Sequence, residues 1–193
     1  FGHSAIRIHD PQRRIDQVFN YGTFDFSTPN FYLKFLRGKL DYILDVDAYR
    51  DFDYTYRYFQ RGFVEQELAF SRSQQEAIYQ FLRENYRPEN RAYRYDFFFD
   101  NCATRIRDVF VAVAPDSVRY THAEAGSGFT FRQHLAHYLG TKPWVRFGMD
   151  LILGAVVDRE ASRWEAMCLP DELAKQTGED VLNFCANNYL GLS

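Results

Sequence analysis

Cys102 stands in the kind of position where proteins activate a thiol. Asp100-Asn101-Cys102-Ala103-Thr104 follows the aromatic run Tyr93 to Phe99 and leads into Ile106, Val109, Phe110 and Val113. That spacing predicts the buried face of a helix ending before Pro115. Cys102 then occupies the first turn, where unpaired N–H groups and the helix dipole favour thiolate over thiol. The same end of the helix offers donors for an oxyanion, with Asn101, Ala103 and Arg105 around it. Two plainer readings stand beside this one. A free cysteine is most often a small buried hydrophobe, and Asn101 serves equally as an N-cap with no chemistry attached.

A cysteine nucleophile needs a base, and the sequence holds five histidines: His3, His9, His122, His134 and His137. His3 is the best placed, on the strand face opposite Ile6 and Ile8, although a lone strand histidine is more often a hydrogen-bonded structural residue. His9 borders a turn and is expected in solvent. His134 and His137 lie three apart on an expected helix, with His122 upstream, but no glutamate-containing zinc motif accompanies them. A solvated helix face is the expectation there, with no metal and no cofactor. Arg105 and Arg107 flank Cys102 and suit a thiolate or an anionic substrate, or equally a surface-facing turn. Phe97-Phe98-Phe99 suits an acyl or peptide groove, or simple core.

The elements that must position these residues can be read from periodicity. Residues 3 to 8 alternate as a half-buried strand, Asp10 to Arg13 supply a turn, and residues 15 to 21 return as the second strand of a hairpin. This places residues near Asn20 beside residues near His3. Residues 40 to 47 and 63 to 70 alternate as two further strands. Ser73 and Glu76 have capping-box spacing, predicting a helix over about 74 to 86. Glu124 to Gly128 is expected as a loop, and 131 to 139 and 145 to 153 as helices.

These elements make an α+β fold, an antiparallel sheet packed on helices. The 193 residues, 46% hydrophobic and 25% charged, suffice for one core-bearing domain. A formal net charge of −3 excludes the basic face a nucleic-acid binder needs. No apolar run reaches the roughly 18 residues that span a bilayer. The abrupt start at Phe1-Gly2-His3 suggests a fragment or mature form, so any membrane association is expected through flanking regions.

FGHSAIRI, FNYGTFDF, PENRAYRYDFFFDNCATRIRD, GFTFRQHL, PWVRFGMDLILG and EAMCLPDEL, in that order, resemble the Lnb N-terminal periplasmic domain family over nearly all of residues 1 to 174. The order of histidine strand, second strand and Asn-Cys helix also resembles the circularly permuted papain-like thiol hydrolases, NlpC-like enzymes among them. That resemblance implies a permuted papain-like core with Cys102 as nucleophile and His3 as general base or ion-pair partner. The orienting third residue would come from the second strand, with Asn20 chosen and Tyr21 or Asp16 as alternatives. It further implies a cell-envelope cysteine hydrolase or acyltransferase acting on an amide or ester of a peptide, glycan or acyl lipid. The competing expectation is a noncatalytic envelope binding domain for the same classes of ligand.

Residues 178 to 193, GEDVLNFCANNYLGLS, depart from that pattern. They resemble a segment near the N-terminus of the α-oxoamine synthases, particularly 2-amino-3-ketobutyrate coenzyme A ligase, without the Schiff-base lysine region or large domain of that family. The expected organisation is therefore a domain over 1–177 followed by an unrelated tail that adds little to the core. Cys185 and Asn183 are given no role.

Overall fold

The computed structural model describes residues 2–24, 41–115, 117–118, 120, 123–140, 143–178 and 185–187. Strands β1 (His3–Asp10) and β2 (Ile15–Phe24) form the expected hairpin, and β3 (Asp41–Ala48) pairs with β2 on its far side. Helix α1 (Tyr49–Tyr58), β4 (Phe63–Val64), α2 (Arg72–Asn85), β5 (Ala92–Arg94) and α3 (Cys102–Val113) follow. The remainder comprises β6 (Gly126–Thr130), α4 (Phe131–Leu139), α5 (Pro143–Leu153), a 3-10 turn at Gly154–Asp158, β7 (Glu160–Ser162), α6 (Arg163–Ala166), α7 (Pro170–Gly178) and β8 (Cys185–Asn187). The main sheet has the order β4-β8-β1-β2-β3-β5, and its pairings are antiparallel. The fold is α+β.

Both faces of the hairpin are covered. Strand alternation sends Ile6, Phe19, Tyr21 and Leu44 to one face, where they meet Ile78 and Leu82 of α2 and Ile106, Val109 and Phe110 of α3 in the main core. Burying such side chains is worth roughly 1.5–3 kcal/mol each. Ala5 and Val18 point the other way, onto Phe52 and Tyr56 of α1. A smaller core gathers Phe98, Phe131, Leu135, Val157, Ala161, Cys168 and Leu169 beside the β6–β7 pair.

Several expectations need correction. The 63–70 segment is a strand only at Phe63–Val64. Its later residues leave the ladder: Glu65 pairs with Arg7, and Phe70 drops into the main core. The cap of α2 is Ser71 with Gln74, two residues before the expected pair. Ser73 instead contacts Ser71 Oγ at 3.0 Å, and Glu76 turns outward to Arg13. The expected 124–128 loop becomes strand from Gly126, because Gly126 and Thr130 pair with Ser162 and Glu160. Gly178 of the tail ends α7, and its residues 185–187 form β8, which pairs with both β1 and β4, Asn187 lying opposite His3 and Phe63.

Candidate functional site

The site lies where the hairpin opens. The β1–β2 ladder pairs Asp10 with Ile15 and continues to Ile6 with Phe19, where it stops. Past that point Cys102 stands between the two strands. The backbone N–H groups of Ser4 in β1 and of Ala103 in its own helix face its sulfur and favour the thiolate. On the β2 side, Gly22 approaches so closely that a Cβ there would lie 3.8 Å from the Cys102 Cβ. Gly22 has φ +90° at the register shift between Tyr21 and Thr23, a backbone that disfavours other residues. This opening explains how two opposite faces of the sheet meet. Helix α3 packs on the Ile6 face while His3 belongs to the other, and the thiol reaches His3 through the gap.

Asn101 sets the helix start. Its Oδ1 accepts from the N–H groups of Ala103 (2.9 Å) and Thr104 (3.0 Å), and Thr104 Oγ1 accepts from the Asn101 N–H at 2.8 Å. Asn101 Nδ2 donates to the carbonyls of Phe97 and Cys168, both at 2.8 Å. The side chain is thus wholly engaged in holding the helix, and it also engages the Ala103 N–H. Of the first-turn N–H groups, that of Cys102 itself is the one the cap does not take.

The thiol and the His3 imidazole share a hydrogen bond. Burial alone would push the Cys102 pKa up, but the charge and hydrogen bond of His3 and the two backbone donors outweigh it, leaving the thiol more acidic than usual. Burial likewise would lower His3, yet the attraction of the Cys102 thiolate, with hydrogen bonds to Cys102 and Asn20, leaves the imidazole more basic than usual. Opposed shifts of this kind favour a thiolate–imidazolium pair.

Asn20 Oδ1 lies 3.3 Å from His3 Nε2, and Asn20 Nδ2 donates to Asp47 Oδ2 at 2.9 Å. The amide can therefore accept from an imidazolium N–H while Asp47 fixes which way it faces. The two alternatives for this position are engaged elsewhere. Asp16 pairs with Arg7 at 2.7 Å, with Arg7 stacked on the Tyr49 ring at 3.4 Å. Tyr21 points into the main core, its hydroxyl accepting from Asn85 at 2.9 Å.

The other residues singled out by the sequence lie away from the sulfur. Arg105 forms an ion pair with Asp100 and covers the Tyr93 ring at 4.1 Å. Arg107 is buried rather than surface-facing, over the Trp164 ring at 3.7 Å and donating to the Trp164 carbonyl. Phe98 belongs to the smaller core. His134 bonds Ser127 Oγ at 3.0 Å, and His122 lies outside the described residues. Among the described residues, no group of three or more potential metal ligands comes together.

Five contributors escaped the sequence: the Ser4 backbone N–H, Gly22, Asp47, and the tyrosines Tyr93 and Tyr95 beside the thiol. Asp47 had a visible signal. It alternates with Val46 in β3 and so shares a face with Asn20 of the neighbouring strand. Burial first, and then the nearby Asp45, raise its pKa, while the Asn20 hydrogen bond opposes the rise.

Residues 1–136 match the Lnb N-terminal periplasmic domain family. The chain belongs to that family, and its compartment is the periplasm. His3, Asn20, Asp47 and Cys102 fall inside the matched stretch, whereas PWVRFGMDLILG and EAMCLPDEL lie beyond it. No match was found among the curated proteins or among the solved structures. Among the described residues no helix is long and apolar enough to cross a membrane.

Proposed function

We propose that this domain is a cell-envelope cysteine hydrolase or acyltransferase, cleaving an amide or ester of a peptide, glycan or acyl lipid through a thioester on Cys102. The observation that carries the reading is the hydrogen-bonded Cys102–His3 pair with its opposed pKa shifts, backed by Asn20 and Asp47. In this reading the thiolate attacks the carbonyl carbon, and the resulting oxyanion is held by N–H donors at the helix start. When the carbonyl re-forms, the bond to the leaving oxygen or nitrogen breaks and that atom takes the proton from His3. Water or an acyl acceptor, deprotonated by His3, then attacks the thioester. The order His3 strand, Asn20 strand, Cys102 helix supports the finer fold assignment, a permuted papain-like core.

The alternative, a noncatalytic binding domain, is favoured by the low exposure of Cys102, 8%. Alkylation separates the two. Iodoacetamide should modify Cys102 well below the pH at which a free thiol of pKa about 8.5 reacts, and p-nitrophenyl butyrate should leave a hydroxylamine-sensitive butyryl group on Cys102, detected by mass spectrometry. If Cys102 alkylates no faster than free cysteine across about pH 5 to 9, the binding-domain reading replaces this one.

A further inference from the structure

Tyr93 is central to β5, opposite Tyr42 of β3. Its ring meets Tyr21 edge-on at 6.1 Å and carries the Arg105 guanidinium on its face. The ring is thus thoroughly fixed, but its hydroxyl is not part of what fixes it. Tyr93 is 8% exposed, and its Oη is buried with no hydrogen-bond partner among the described residues. Buried hydroxyls ordinarily find partners, so one without invites a functional explanation.

The position of that oxygen supplies one. The point where a Gly22 side chain would begin lies 3.8 Å from Tyr93 Oη, 3.8 Å from the Cys102 Cβ and 3.7 Å from Tyr95 Cε2. Because residue 22 is glycine, a small volume is bounded by the nucleophile's side chain, one phenolic hydroxyl and one aromatic edge. A carbonyl group entering it would have the thiol on one side and the hydroxyl on another. Burial, and then the nearby Cys102 thiolate, push the Tyr93 pKa up. The phenol therefore stays protonated and can only donate to an anion.

We infer that the Tyr93 hydroxyl is a catalytic hydrogen-bond donor to the oxyanion formed when Cys102 attacks a carbonyl, acting together with the Cys102 N–H. The inference rests on the proposed thiol chemistry. As the Sγ–C bond forms, the carbonyl π pair moves onto oxygen, which accepts from Tyr93 O–H. When that pair returns to the C–O bond, the leaving group departs with the proton from His3 and the phenol is unchanged.

The test is Tyr93→Phe in the full chain, with p-nitrophenyl butyrate as acyl donor and iodoacetamide as a probe of the thiolate. Losing one oxyanion donor should slow butyrylation of Cys102 by about 10²-fold. Alkylation, which forms no oxyanion, should keep its wild-type rate and pH profile. The melting temperature should not fall, because the deleted hydroxyl bonds nothing in the fold. Wild-type butyrylation rates in Tyr93→Phe would overturn the inference and leave the thiol chemistry standing. So would an equal slowing of butyrylation and alkylation, which would make Tyr93 a structural support of the thiolate. A wild-type protein that alkylates but accepts no butyryl group would overturn the hydrolase reading and this inference with it.

Discussion

Cys102 and Cys168 are nearly equal in burial, 8% and 4% exposed, and opposite in character. Cys168 lies in the smaller core among Phe98, Phe131 and Leu135, and burial drives its thiol up to about 12. Cys102 suffers the same burial, but an imidazole and two backbone N–H groups face its sulfur and bring its pKa below the ordinary value. Depth alone therefore does not set the acidity of a thiol. The difference comes from what faces each sulfur: His3 above all, and then the Ser4 N–H past the end of the β1–β2 ladder, act on Cys102. Cys168 lies in the turn between α6 and α7, where the Arg107 charge and its own N–H only partly oppose burial, and its carbonyl is occupied by Asn101.

The largest break in this comparison comes from removing each sulfur in turn. Cys102→Ala should remove the fast modification by iodoacetamide at pH 6, leaving Cys168 and Cys185 to react slowly if at all, and Cys168→Ala should leave the fast modification at the wild-type rate. Peptide mapping after a short pulse reads both. Labelling at Cys168 in the wild type would reverse the assignment.

His3→Ala should have the next largest effect. Without the imidazolium, burial raises the Cys102 thiol against only the Ser4 and Ala103 N–H groups, making it more like Cys168 than like a free cysteine. The alkylation midpoint should move upward past the ordinary thiol value, and each pH unit that it moves should cost about tenfold in the rate at pH 6. The sign for stability is also defined. The depressed Cys102 pKa contributes stability above the unfolded thiol's pKa, lost as pH falls through the folded value. The raised His3 pKa contributes stability below the unfolded imidazole's pKa, lost as pH rises through its folded value. In His3→Ala both contributions vanish, and urea midpoints measured below the unfolded thiol's pKa should be flatter than in the wild type.

Asn20 and Asp47 should matter less, because they act through His3. Asn20→Ala removes a hydrogen bond to a charged ring, worth roughly 1.5–3 kcal/mol, and should lower the rate at pH 6 by about tenfold. Asp47→Asn keeps an acceptor for Asn20 and should cost less than Asn20→Ala. If Asp47→Asn costs more, the charge itself supports the imidazolium.

How far these parts were legible in the sequence follows from how local their causes are. The His3–Asn20 neighbourhood came from a short hairpin with period-two patterning, and the place of Cys102 from a helix signal within a dozen residues. What escaped depended on how strands part. No local pattern announces that the β1–β2 ladder ends at Ile6, that Gly22 faces a cysteine eighty positions away, or that Asn101 bonds the carbonyl of Cys168. Asp47 lay in a strand that was expected, on the correct face, but its pairing with Asn20 is diagonal across β2 and β3 and requires the register. The capping error at Ser71 is of another kind. Ser71 and Ser73 both had plausible partners three residues on, and Gln74 won because the chain turns into the helix just after Phe70 enters the core.

The smallest effects concern the link between the two regions. Asn101→Ala strips the cap from α3 and leaves the part-buried carbonyl of Phe97 and the buried carbonyl of Cys168 without that donor, so it should cost about 2 kcal/mol, the upper end of cap losses. Cys168→Ala keeps its backbone carbonyl and loses only a small apolar side chain, a cost of about 1 kcal/mol. Chemical denaturation of both variants, with iodoacetamide rates at Cys102, tests whether the coupling runs through the backbone. Asn101→Ala should lower both stability and Cys102 reactivity, because fraying the first helical turn misplaces the sulfur between Ser4 and Gly22. Cys168→Ala should lower stability alone. A change in Cys102 reactivity in Cys168→Ala would mean that the smaller core positions the site through side-chain packing as well as through the Asn101 hydrogen bond.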